Sequence, residues 1–324
     1  MNQMTTDTSY RKINLEFLNN SGDDSFDIFY KTRSYGTIKY VRFATSKPEH
    51  HEKVLRLLES GDPLEDFYIL EDDLFKYYRH ATSTLRKIVA NPNVSFEQKA
   101  RKVYEVSKNI MKEFFETNAS EKILRTSDEV MEIMEECFQD VDVGFYGISK
   151  ITNKDYYTYT HSVNVGLYCM TYGVKISMSH DEVRTLGLGG MLHDVGKSKI
   201  ADSLLNKKGL LTPKEFQIVK NHAPLGGDIL HDMNCYADSV IDMANQHHEK
   251  YQGGGYPLGI VGDEISYFAR ICKVMDVYDA LTTRRSYKKA MSPFDTLTLM
   301  VKQMSDEFDS QILDDFIRYM GPEL

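Results

Sequence analysis

The sequence has no tryptophan, only four cysteines and eight prolines, and fewer basic than acidic residues. Lys and Arg total 39 against 48 Asp and Glu, a formal charge of −9. With no basic cluster standing out, this balance excludes a protein that wraps long DNA, while leaving room for a local basic pocket that takes a small anion. Cys137, Cys169, Cys235 and Cys272 lie far apart and form no CxxC. They read as reduced, mostly buried thiols of a cytosolic protein. No apolar run approaches the ~20 residues that span a bilayer. The first residues, "MNQMTTDTSYRK", hold no apolar signal core. A cytoplasmic protein without membrane contact is therefore expected. The absence of tryptophan excludes nothing.

What is present is a globular composition, 41% apolar, 27% charged and 11% aromatic over 324 residues. That length accommodates two domains of ordinary size. Strand-like alternation marks "YRKINLEFL" (10–18), "FDIFYKT" (26–32) and "TIKYVRFA" (37–44), with "SYG" (34–36) as a hairpin turn. "KPEHHEKVLRLLES" (47–60) changes to helical spacing, "DFYIL" (66–70) returns to strand, and a helix follows from about Asp72 to Ala90. Residues 1–90 thus read as a small α+β regulatory domain.

Beyond Asn91 the pattern is helical, without repeats or low-complexity tracts. Ser95 with Gln98, Thr126 with Glu129, Ser179 with Glu182, and Thr212 with Glu215 have the spacing of capping boxes. In each, a hydroxyl accepts from a free helical N–H while the acidic or amide side chain reaches back. Pro213 and Pro293 suit the first turn of a helix, and Asp309 marks a further start. We read 91–145 as a helical linker or stalk and 146–324 as an all-α helical-bundle domain.

Ten histidines are present, and their placement is informative. His161 lies in "YYTYTHSVNVGLY", His193 and Asp194 in "GGMLHDVGK", His222 at "KNHAP", His247 and His248 at "HHEKYQGGGYP", and Asp276 in "ICKVMDVYDAL". One histidine on an apolar helix is ordinarily a hydrogen-bonded core residue, and an HD dipeptide alone carries little weight. A carboxylate in an apolar helix, however, needs a partner. Five such sites on successive helices are explained together by shared cations. Imidazole and carboxylate suit Fe, Mn or Zn. Seven side chains exceed what one ion takes, whereas a carboxylate-bridged pair would use them all.

The motifs "HDVGK" (193–197), "NHAPLGGDIL" (221–230), "HHE" with "GGGYP" (247–257) and "DVYDALTTRRSYKKAMSP" (276–293) occur in this order. From about 150 to 320 the chain resembles the HD-GYP branch of the HD phosphohydrolase superfamily. The resemblance implies a helical bundle around a metal centre and a cyclic di-GMP phosphodiesterase. His161, His193, Asp194, His222, His247, His248 and Asp276 would be metal ligands, with Asp194 as the bridge. Lys197 would contact the scissile phosphate. Arg285 and Lys288 would hold the ligand's phosphates, and Gly255, Tyr256 and Pro257 would form the substrate loop. The implied cofactor is two divalent ions, iron before manganese, that activate hydroxide to cut cyclic di-GMP to linear pGpG or on to GMP.

Two positions depart from the family pattern. Gln252 stands where Asp is usual in the GYP loop, and Tyr157 stands where members with three metals carry glutamate. Two ions are therefore expected rather than three. Glu249 is expected to orient one of the neighbouring imidazoles. The glycines before Tyr256 are expected to allow positive φ and close approach. Two alternatives stay open: a cyclic di-GMP receptor with little or no turnover, and an HD hydrolase of another nucleotide. The N-terminal domain reads as regulatory or as a dimerisation element that would make a homodimer. It and the GYP loop are where signalling-protein partners are expected.

Overall fold

The structure is a computed structural model that describes residues 9–18, 26–34, 37–45, 67–116, 121–138, 152, 157–207, 209–284 and 289–320. It divides into two compact units, Met1–Val94 and Ser95–Leu324. The expected helix at 47–60 and residues 35–36 of the hairpin turn lie outside the described residues, as do Arg285 and Lys288.

The first unit holds a four-stranded antiparallel sheet. Its strands are β1 (Tyr10–Lys12), β2 (Ile28–Ser34), β3 (Thr37–Ala44) and β4 (Phe67–Leu70), in the order β1-β4-β2-β3. The strand expected over 10–18 ends at Lys12, and Leu15–Phe17 form a 3₁₀ turn instead. Ile13, Leu15 and Phe17 are buried by that turn, so apolar spacing of two is met without a strand. Helix α1 (Leu74–Ala90) buries Leu74, Tyr77, Tyr78, Ala81 and Leu85, and the Tyr77 hydroxyl bonds the backbone of Asn14.

The described regular elements of the second unit are helical. In chain order they are α2 (Phe96–Glu116), α3 (Glu121–Phe138), α4 (Thr158–Lys175), α5 (His180–Leu192), α6 (Asp202–Leu205), α7 (Pro213–Lys220), α8 (His222–Met233), α9 (Asp238–Gln246), α10 (Tyr267–Thr282), α11 (Pro293–Gln303) and α12 (Ser310–Met320). Helix α4 lies at the centre and is buried from Thr160 to Gly173, as a helix wrapped on every side must be. Helices α2 and α3, read from sequence as part of a stalk, instead belong to this unit. They pack on each other, α2 also on α4 and α3 on α5. Their amphipathic stripes, Val103, Ile110 and Phe114 on α2 and Val130, Met131 and Met134 on α3, are fully buried.

The boxes at Ser95/Gln98, Ser179/Glu182 and Thr212/Glu215 form with reciprocal bonds. Ser292 caps α11, and Asp309 accepts from the N–H of Gln311. Thr126 does not start a helix. Its hydroxyl donates to the carbonyl of Ile123 inside α3, which continues through it because Ile123 and Leu124 extend the buried stripe. Of the free cysteines only Cys235 is exposed. No helix among the described residues is long and apolar enough to cross a membrane.

One close approach fixes the position of His222. A Cβ built on Gly196 would stand 1.9 Å from the carbonyl oxygen of His222 and 2.5 Å from the amide nitrogen of Gly226. Glycine therefore lets the turn after α5 press against the start of α8. Gly196→Ala should cost about 3 kcal/mol or more, at the upper end of overpacking penalties. It should also loosen His222 from Asp194. Thermal unfolding checks the first effect and bound metal the second.

Candidate metal centre

Five helices deliver the expected ligand residues to one buried point. His161 comes from the first turn of α4, and His193 and Asp194 from the end of α5. His222 opens α8, His247 and His248 follow α9, and Asp276 sits in α10. His161, His193, Asp194 and His247 are at most 1% exposed. Pro224 lies in the first turn of α8, where its missing N–H breaks no helical bond.

The seven groups fall into two outer sets, with His193, Asp194 and His247 as a third group between them. Asp194 Oδ2 lies 3.4 Å from His193 Nε2 and 3.7 Å from His161 Nε2, and Asp276 Oδ1 lies 3.0 Å from His161 Nε2. Asp194 Oδ1 faces His222 Nε2 at 3.3 Å and His247 Nε2 at 3.8 Å. His222 Nε2 is in turn 3.3 Å from His247 Nε2 and 3.1 Å from His248 Nε2. Ligand atoms of His161, His193 and Asp276 lie within 4.8 Å of one another, as do those of His222, His247 and His248.

Four imidazoles are oriented from behind. His193 Nδ1 bonds the carbonyl of Gly190 and His222 Nδ1 that of Val219, both at 2.7 Å. His247 Nδ1 is 3.0 Å from the carbonyls of Met243 and Ala244. His161 Nδ1 bonds Asp279 Oδ2 at 2.7 Å. A carbonyl or carboxylate partner requires a proton on Nδ1, which assigns the Nε2 lone pair to the centre. Lone pairs then face lone pairs. His193 Nε2 and Asp194 Oδ1 are buried without a hydrogen-bond partner. Such an arrangement is costly unless cations or protons fill it. The donor set therefore fits divalent cations.

The electrostatics separate the two sets. Burial pushes His247 and His248 well below the usual histidine range, helped by neighbouring imidazoles, and also lowers His222 against the pull of Asp194. These three present neutral imidazole. Burial also acts on His161 and His193, but hydrogen bonds to Asp276 and Asp279 raise the first to about 9, and Asp194 raises the second to about 9. Burial opposes ionisation of Asp194 and Asp276. Lys197 and His193 outweigh it for the first and His161 for the second, holding both carboxylates well below their ordinary value. Binding a cation here displaces protons.

Lys197 Nζ contacts Asp194 Oδ2 at 2.5 Å, one turn along from it. Tyr256 reaches the cluster from the glycine loop. Its ring stacks on His248 with centroids 4.6 Å apart, and the ammonium of Lys220 stands over it at 4.7 Å. Lys220 also stands 4.9 Å over Phe216. Gly253 and Gly254 have φ of 100° and 79°, and a Cβ on Gly255 would meet Glu249 Cα at 2.4 Å, so these glycines serve positive φ and close approach. Pro257 and Gln252 are exposed.

Glu249 does not orient an imidazole. It accepts from the amides of Leu258 and Gly259 and so pins the return of the loop, because His247 and His222 already take backbone carbonyls. Three contributions were not singled out from the sequence. Asp279 and Asn164 back His161, each three residues from a ligand and hence on its helical face. That spacing could have found them. The buried Lys273 joins Glu307, which also binds Lys250 at the loop's start; nothing local in sequence marks that tie. Tyr157 caps α4 from outside, 56% exposed and stacked on Tyr159.

A model of the HD domain family matches residues 148–312. Over 172 residues the chain is 37% identical to the cyclic di-GMP phosphodiesterase PA4108 of Pseudomonas aeruginosa, covering 53% of this chain and 41% of that protein. Over 244 residues it is 28% identical to the 3'3'-cGAMP-specific phosphodiesterase 3 of Vibrio cholerae, covering 74% and 52%. The chain thus spans roughly half the length of these relatives. Bd1817, an HDG"Y"P protein from Bdellovibrio bacteriovorus, shares the fold with a TM-score of 0.65 at 17% identity, covering 95% of this chain and 98% of that one.

Proposed function

Since the chain belongs to the HD domain family, in its HD-GYP branch, we propose that it hydrolyses cyclic di-GMP to linear pGpG at a two-cation centre. The observation that carries this reading is Asp194, whose two oxygens face two separate histidine sets. His161, His193 and Asp276 would hold one cation and His222, His247 and His248 the other, with Asp194 shared. Iron is the expected metal and manganese the alternative, since both suit imidazole with carboxylate. Cations bound there supply Lewis acidity and an activated water to a phosphodiester.

The chain's own groups do the rest. Lys197 supplies positive charge to a non-bridging phosphate oxygen. Tyr256 has its ring engaged by His248 and Lys220. Burial, with Asp276 and Asp194, pushes its phenol above the ordinary range, so its hydroxyl stays a neutral donor. Arg285 and Lys288 would hold the ligand's phosphates, and Gly255 and Pro257 shape the loop around the ligand. Tyr157, exposed and without a carboxylate, leaves the ligand set at two ions.

The test is elemental analysis of anaerobically purified protein followed by turnover of cyclic di-GMP. Two ions per chain and accumulation of pGpG are expected. Three stoichiometric ions would overturn the count, and tight binding without cleavage would favour the receptor alternative. The same assay should include 3'3'-cGAMP, because the 244-residue alignment runs to an enzyme named for it. Faster cleavage of that ligand would reassign the substrate.

Lys220 adds a further expectation. Its ammonium rests on two rings, contacts worth about 0.5–1 kcal/mol each when exposed. A phosphate offers about 1.5–3 kcal/mol and should capture it. Lys220→Ala should raise KM about tenfold with kcat nearly unchanged. Steady-state kinetics decide, and an unaltered KM would return Lys220 to a surface role.

A further inference from the structure

The back of the His161 set continues beyond the ligand helices. Asp279 Oδ2 takes the bond from His161 Nδ1, and Asp279 Oδ1 accepts from Asn164 Nδ2 at 2.9 Å. Asn164 Oδ1 accepts from the hydroxyl of Tyr104 at 2.7 Å. Asp279 is 0% exposed, Asn164 and His161 1%, and Tyr104 5%. Tyr104 belongs to α2, which lies before the HD-matched residues 148–312.

The direction of this chain is fixed by chemistry. A carboxylate only accepts, so Asn164 must turn its amide nitrogen towards Asp279. Its oxygen then points at Tyr104, which must donate. Flipping the amide would set two acceptors against each other in a buried site. Each member is thereby held in one orientation, ending on the ring of His161. Groups behind a ligating histidine fix the ring and raise its basicity, and losing one weakens metal binding about 10–100-fold.

We propose that Tyr104 is a positioning residue that sets His161 through Asn164 and Asp279, coupling helix α2 to one half of the metal centre. The proposal rests on the two-cation reading for its consequence, though not for its geometry. It gives α2 a task that packing alone does not require, since phenylalanine would fill the same space. A shift of α2 by a hydrogen-bond length would release Asn164 and, through it, His161.

The experiment uses the full chain with Tyr104→Phe, which keeps the ring and removes the hydroxyl. Two readouts are taken. In metal-free protein, the Nδ1–H proton of His161 is followed by nitrogen-edited NMR. In the second, Mn(II) affinity is measured by chelator competition. The variant should move or broaden the His161 resonance. It should also weaken one of two Mn(II) sites about three- to tenfold, below the range for a direct partner, while the other changes less than about twofold. Val103→Ala on the same buried stripe controls for lost packing and should leave both readouts at the wild-type value. In Asn164→Ala protein, adding Tyr104→Phe should have no further effect, as expected for members of one chain. An unchanged His161 resonance in Tyr104→Phe protein overturns the relay whether or not metal binds. A moved resonance in a protein that takes up no Mn(II) supports the relay and overturns the metal reading instead.

Discussion

Asp194→Asn should remove most bound metal and lower turnover of cyclic di-GMP by more than about 10³-fold. The reasoning is local. Asp194 is the only described residue whose oxygens face both histidine sets, with Oδ2 towards His161 and His193 and Oδ1 towards His222 and His247. Asparagine keeps the shape and loses the charge. One end of the side chain becomes an NH₂ that donates and cannot ligate. Metal charge stabilisation of several kcal/mol then disappears, at about 1.36 kcal/mol per tenfold in rate. Elemental analysis and single-turnover cleavage on the same preparation test this. A protein that keeps two ions per chain would remove Asp194 from its bridging role. Asp276→Asn provides the contrast, since among the described residues the ion-pair contacts of Asp276 within 4.0 Å are to His161 and His193, while it acts on His247 and His248 from farther away. It should deplete one ion and leave the other.

The two substitutions also show which parts of the site the sequence exposes. The seven metal-binding candidates were legible because residue type carries the information. Imidazoles and aspartates recurred at helix ends or in apolar helices, where water cannot solvate them and a partner is required. The groups behind them were mostly illegible. His193, His222 and His247 are oriented by backbone carbonyls, which every residue has, so no side chain marks them. Glu249 was misread for the same reason. Proximity to His248 suggested an imidazole partner, whereas the loop's own amides at Leu258 and Gly259 had the stronger need for an acceptor.

A similar contrast runs through the fold. Capping boxes were readable where the hydroxyl had a frayed turn to serve, as at Ser179 and Thr212. Thr126 carries the same spacing, but Ile123 and Leu124 before it are buried, and tertiary packing extends α3 past the signal. The amphipathic stripes of α2 and α3 were visible as helices, but their address was not. Periodicity states that a face is buried without naming its cover. Here the cover is the HD-matched part itself, through α4 and α5, which is why a hydroxyl from α2 can reach the groups behind His161.

Lys197→Met should leave both ions in place while lowering kcat about 10²–10³-fold, the cost of removing one group that stabilises developing charge. In the structure its ammonium is spent on Asp194 Oδ2, at 2.5 Å. That contact places it at Asp194, with its side chain 16% exposed. A protonated amine has no lone pair for a metal. Were Asp194 to hold a cation, as proposed above, Lys197 would lose its hold on Oδ2 and its ammonium would be left for the phosphate. Removing the ammonium therefore takes a competitor from the metal and a charge from the phosphate. Methionine keeps most of the stem's packing. Metal affinity should hold or rise, and KM should change less than kcat, because charge on the phosphate oxygens grows as the bond breaks. Lys197→Arg should recover only part of the rate, since a planar fork replaces a point charge. Metal content, KM and kcat for the wild type and both variants complete the test. Loss of metal in the methionine variant would make Lys197 a structural counter-ion of Asp194, and an equal kcat would place the phosphate contact on another residue.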